Sequence, residues 1–112
     1  MSKDVKFFDS RQRYLLFVTT TALAQGSAAE RATEISNKMT EVLSLNEDES
    51  AKVYNIQLKR FQDVNAIRNT YADDPETKRL ELKKVYDRLY GKLKAALGED
   101  KMLEWGAYKR NN

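Results

Sequence analysis

The chain has 112 residues, with 20 basic against 17 acidic side chains and neither cysteine nor histidine. That length holds one domain at most. The missing residues exclude disulfides, thiolate chemistry, and the commonest general base and nitrogen ligand. The nearly balanced charge describes a solvated surface, and one proline and four glycines in a chain one-third charged point to an all-α protein.

Residues 1–13 carry four basic and two acidic side chains, and Tyr14 to Ala24 follow as an uncharged run ending Ala22-Leu23-Ala24. A basic start, a short apolar core and an A-x-A ending are the parts of a secretory signal peptide. The run is too short to span a bilayer, which takes ~20 residues, so no transmembrane span is expected. Asp4, Asp9 and the three threonines Thr19–Thr21 dilute the pattern. Cleavage after Ala24 would leave Gln25 to Asn112 as the mature, periplasmic protein. The alternative is an intracellular or membrane-associated chain that keeps residues 1–24 as an anchor helix.

Ser27 with Glu30 reads as a capping box opening the first helix. Ala28, Ala32, Ile35, Met39, Val42 and Leu43 then recur on one helical face, opposite Glu30, Glu34, Asn37 and Glu41. Asn46 with Glu49 repeats the cap, and Glu47, Asp48 and Glu49 place negative charge where the next helix dipole is positive. The acidic cluster lacks the order and the glycine of a calcium loop, so it reads as helix punctuation and not as a metal site.

A second helix is predicted from about Glu47 to Tyr71, with Val53, Tyr54, Ile56, Phe61, Val64, Ile67 and Tyr71 spread over a broad apolar arc. Asp74 as cap and Pro75 at the first helical position open a third helix. It runs to Leu97, carries Leu82, Val85, Tyr86, Leu89, Leu93, Ala96 and Leu97 on one side, and stops at Gly98. A short fourth helix holds Met102, Leu103 and Trp105 before a polar tail. The second and third helices form an antiparallel hairpin with arms of roughly 33–37 Å. The first helix caps it and the fourth closes its end. Chains this small bury only ~60–65% of their unfolded surface. The surplus apolar arc is therefore expected to face a second subunit, a groove or a partner, with a cradle-like or intertwined homodimer preferred.

The phrase Leu45-Asn46-Glu47-Asp48-Glu49 returns in plan as Leu97-Gly98-Glu99-Asp100-Lys101, continuing to Trp105 in KAALGEDKMLEW. Each phrase opens a helix just after a leucine. The pair resembles the two degenerate L-T-x-x-Q motifs of the Spy/CpxP-like periplasmic stress proteins, over most of Leu43 to Trp105. Neither threonine and neither glutamine is present. Asn46 and Glu49 keep the capping chemistry in the first copy, while Gly98 and Lys101 lose it in the second. The resemblance implies an ATP-independent chaperone, a curved antiparallel dimer holding unfolded clients on its concave face. Relatives that bind metals use histidine or cysteine, so no metal or cofactor is carried over.

A client surface needs apolar area mixed with mobile charge. The candidates are Tyr54, Phe61, Tyr86 and Tyr90 together with Arg79, Lys83, Arg88 and Lys92, and Lys84, Arg88 and Lys92 lie on one helical ridge. The bland reading of that ridge is a solvated face. A nucleic-acid reading is weaker, because the tyrosines fall mainly on the apolar side. Catalysis is not expected, for no nucleophile–base pair, phosphate loop or metal constellation is present. The rival to a chaperone is a helical accessory subunit docked on a larger complex. Intact mass of the protein recovered from its native cells tests the leader. Export predicts a chain beginning at Gln25, whereas a start at Met1 or Ser2 would turn the reading toward the accessory subunit.

Overall fold

The computed structural model describes residues 27–112, and among them it is all-helical, with four helices and no strand. The Tyr14–Ala24 run and the cleavage expected after Ala24 lie outside the described residues. Helix α1 covers residues 27–43, α2 Glu47–Thr70, α3 Pro75–Leu97 and α4 Glu99–Asn111. Ser27 is itself helical, so it is not the non-helical cap that the Ser27–Glu30 spacing suggested. The polar tail expected after the short fourth helix is itself helical, so α4 continues to Asn111, with Lys109 and Arg110 in its last turn facing the negative dipole end.

The three connections are short, and each has a local cause. Ser44 ends α1 with φ 52°, and the Leu45 N–H reaches back to the Thr40 carbonyl at 3.1 Å, the six-to-one closure of a Schellman turn. Asn46 then caps α2. Its side chain accepts the Glu49 N–H at 2.8 Å, and the Asn46 N–H donates to Glu49 Oε1 at 3.1 Å. Asp74 caps α3 by accepting the Thr77 N–H at 3.1 Å, with Pro75 at the first helical position. Gly98 joins α3 to α4 at φ 89° and ψ 164°, a conformation essentially reserved for glycine. No side chain caps α4.

These turns fold the helix ends onto one another. The core gathers Met39 and Leu43 of α1, Leu45 of the first connection, Val53 of α2, Leu93 and Leu97 of α3, and Met102 and Trp105 of α4. Every helix therefore contributes, and both repeat leucines, Leu45 and Leu97, are inside it. Toward the α2–α3 turn, buried positions thin out to Ala28, Ala32, Val64 and Val85. A thread of hydroxyls ties α1 to α2. Thr40 Oγ1 donates to the Ser36 carbonyl at 2.7 Å, so Ser50 Oγ, also 2.7 Å away, donates to Thr40.

Truncating a buried tryptophan to alanine costs ~3–5 kcal/mol, set against a domain stability of ~5–15 kcal/mol. Trp105 thus decides whether α4 stays docked. The two left-handed turns predict substitutions of opposite sign. Ser44→Gly relieves a strained side-chain conformation and should raise urea-melt stability by ~0.5–1 kcal/mol. Gly98→Ala should lower it by ~1–3 kcal/mol. An added Cβ at Gly98 meets no atom within 4 Å, so that loss would be one of backbone and not of packing. Equal responses at the two sites would contradict these turn geometries.

Candidate functional site

Two local arrangements stand out, one at the corner where the repeat phrases meet and one in a cleft beside it. At the corner, Lys101 Nζ sits 3.0 Å from both Glu49 Oε1 and Oε2, with the side chains 31% and 21% exposed. The two phrases that look alike in sequence are thereby joined in space at their fifth residues. Glu49 holds the Asn46 cap as well as Lys101. The Asn46 backbone bond first, and Lys101 second, keep its carboxyl below the ordinary range. Glu47 and Asp48 beside it are exposed. No group of three or more carboxylates that could hold a metal ion occurs among the described residues, and none of their helices is long and apolar enough to cross a membrane.

The cleft has a volume of about 360 Å³ and draws on all four helices. Ile35, Leu89, Leu93, Met102 and Trp105 make its apolar part, with Tyr86 and Tyr90 along one side. Those two tyrosines are 41% and 52% exposed, more than their place near the apolar stripe suggested. The stripe proper is Val85, Leu89, Leu93 and Leu97, and at 100° per residue Tyr86 and Tyr90 sit on its flank. Trp105 stacks on Tyr108 with ring centroids 5.4 Å apart, and Lys109 Nζ lies 5.9 Å from the Trp105 ring.

Arg60 is the cleft's anchored cation. Its Cζ lies 4.2 Å from the Phe61 ring centre and 5.6 Å from that of Tyr86. Its Nη1 donates to Gln57 Oε1 at 3.2 Å, while its buried Nε has no acceptor. Because arginine only donates, the Gln57 oxygen must face it, which turns the Gln57 amide nitrogen to Met39 Sδ at 3.6 Å. Gln57, 1% exposed, is thus the buried post that orients Arg60. Neither Arg60 nor Lys109 makes an ion pair among the described residues.

The residues singled out from the sequence are split by this geometry. Tyr86 and Tyr90 line the cleft, and Phe61 lies beneath Arg60. Tyr54 is half-buried on α2 and is not part of the cleft lining. Arg79 and Lys83 continue the Tyr86 flank of α3 toward Pro75. Arg88 and Lys92 fall on the other flank, beside Ile56, Asp63 and Val85. The basic ridge is largely paired: Lys84 with Glu81 at 3.0 Å and Arg88 with Asp63 at 4.0 Å, while Lys83 meets Asp87 at 3.1 Å. Exposed pairs of this kind contribute ~0.3–0.5 kcal/mol each, so they solvate the helix more than they hold it.

Sequence reasoning passed over Arg60, Gln57 and Lys109. A signal did exist for Gln57, a polar residue four positions after Val53 and seven before Val64, on the apolar stripe of α2. Comparison of the chain with protein-family models, with curated proteins and with solved structures returned no match. Fold and cleft together define a small all-α protein with an aromatic-walled, basic-edged cleft.

Glu49→Gln keeps the capping geometry and removes only the charge. A carboxyl whose folded pKa is depressed adds stability above its ordinary value of 4.5, and that stability drains away as pH falls through the folded pKa. The difference in Tm between the native protein and Glu49→Gln should therefore be largest near neutral pH and shrink below pH 4.5. A gap that stays constant down to strong acid would remove the Glu49–Lys101 ion pair as its source.

Proposed function

We propose that the protein is an exported, periplasmic holder of unfolded or partner chains that works without ATP and without catalysis, in the manner of the Spy/CpxP-like proteins. The observation that carries this reading is the cleft, where apolar floor, half-exposed tyrosines and unpaired cations lie side by side. Apolar area gives a client's exposed side chains a place to bind, and charge on flexible stems keeps each contact weak enough to exchange. The signal-like start and the paired helix-opening phrases support the localisation and the family likeness. A homodimer completes the proposal. Leu80 and Leu103, 46% and 63% exposed, are apolar surface for a second copy to cover.

A second reading rests on Leu103 alone, the most exposed large apolar side chain among the described residues. In that reading α4 docks permanently on a larger complex and the protein is an accessory subunit. Light scattering and native-cell purification separate the two. The chaperone reading expects a dimer of twice the chain mass, and the accessory reading expects a fixed complex with another protein.

The direct test is aggregation of a chemically unfolded client at roughly equimolar protein, with no nucleotide added. Aggregation should be delayed, and Tyr86→Asp with Tyr90→Asp should abolish most of the delay. Both positions are exposed, so the variant's melting curve should stay close to that of the native protein. No delay by the native protein would end the chaperone reading.

A further inference from the structure

Tyr86 lines two depressions, the Trp105 cleft and a shallower patch of about 480 Å³ formed with Pro75, Lys78, Arg79, Leu82 and Lys83. The two therefore adjoin at Tyr86 along one flank of α3. From Tyr90 to Pro75 that flank is ~22 Å long at 1.5 Å per residue. This length suits an extended segment of ~7 residues at ~3.3 Å each, and exceeds what a small molecule needs.

Charge along the track is one-sided. Lys109 stands at the cleft end beside the Trp105 ring, Arg60 beside the Tyr86 ring where the depressions meet, and Lys78 and Arg79 at the patch end. None of the four has a carboxylate within ion-pair distance among the described residues. The other basic residue of the patch, Lys83, is paired with Asp87. Between Lys109 and the Lys78–Arg79 end lie Leu89, Tyr90, Tyr86 and Leu82. Arg60 is held by the Phe61 and Tyr86 rings and by Gln57, none of which neutralises it.

We propose that the Trp105 cleft and the Arg79 patch form a single track for an extended partner segment with apolar residues at its centre and a carboxylate toward each end. The inference rests on the protein-binding reading and adds its chemistry: the segment is acidic as well as apolar. The carboxylates meet Lys109 at one end and the Lys78–Arg79 pair at the other, while the apolar residues lie across the tyrosines and Arg60 adds positive charge between. Charge-assisted hydrogen bonds are about twice as strong as neutral ones, which sets the preference for acid over amide.

Trp105 is the only tryptophan of the chain and forms the cleft wall, so its emission reports occupancy of the track. The full-length protein is titrated with three capped peptides, DLFLVFE, its diamide NLFLVFQ and its dilysine KLFLVFK, in which the two end side chains lie on one face ~20 Å apart. The acidic peptide should shift Trp105 emission saturably. The diamide should bind roughly tenfold more weakly and the dilysine more weakly still. Added salt should weaken the acidic peptide and spare the diamide. Lys109→Gln and Arg79→Gln, both at exposed positions, should each narrow the acid-to-amide gap without moving the melting curve. Equal affinity for acid and diamide would overturn the proposal, as would a gap untouched by both variants. Binding of 3-phenylpropionate as tightly as DLFLVFE would assign the site to a small acid instead. An emission shift on diluting the protein alone would put a second copy in the cleft, also against the proposal. Absence of any peptide response beside a positive client assay would remove the track while leaving the holding activity in place, so the two readings fail separately.

Discussion

Burial of Trp105 and Met102 against Met39, Val53, Leu93 and Leu97 makes one body of four helices. Without α4, Leu93 and Leu97 would lose the cover over the end of α3, and the closing end of the α2–α3 pair would be wet. A tryptophan buries ~150–250 Å², worth ~4–6 kcal/mol at 25 cal/mol per Å², a large share of what a domain this size has in hand. The Glu49–Lys101 pair is far smaller in energy, since both groups are partly solvated. Its role is directional: it sets where α4 begins relative to α2. Gly98 makes the approach geometrically possible, because only glycine readily takes the backbone angles found there.

The same docking of α4 creates the cleft. Trp105 and Lys109 reach it from α4, Tyr86 and Tyr90 from α3, and Arg60 from α2, so no helix pair alone would contain it. Its positive charge survives folding because no carboxylate lines it, and Asp63, on the other flank, is engaged by Lys59 at 2.6 Å and by Arg88. Gln57 completes the arrangement with a neutral acceptor for Arg60, which orients the guanidinium without cancelling it. A small core and an open charged cleft are thus two consequences of one packing event.

Much of the local structure could be read in advance for definite reasons. Capping chemistry acts over three residues, so Asn46–Glu49 and Asp74–Thr77 are visible in any sequence that contains them. Apolar periodicity found Met39, Leu43, Val53, Val85, Leu93 and Leu97, all of which are buried. Ser27 misled because Ser-x-x-Glu is also an ordinary pattern inside a helix. The C-terminal tail misled because polar residues form a good last helical turn once the preceding turn is anchored by Trp105.

The site was less open to such reading. Tyr86 and Tyr90 were placed from the sequence mainly on the apolar side and line the cleft with exposed rings, yet the cations beside them were sought on α3 and came from α2 and α4. A basic residue one turn away on the same helix can point to the opposite flank, as Arg88 does, while Lys109 arrives from a distance in sequence. The kinship of Glu49 and Lys101 was seen as repetition of a phrase, whereas their contact is between unlike charges brought together by folding. The sequence by itself determined the all-helical class, the positions of the turns and the identity of the core, because these depend on interactions within a few residues and on which faces avoid water. Only the tertiary structure decided which cations stay unpaired and which aromatic rings share a cleft. Those depend on how helices remote in sequence are rotated and docked against one another.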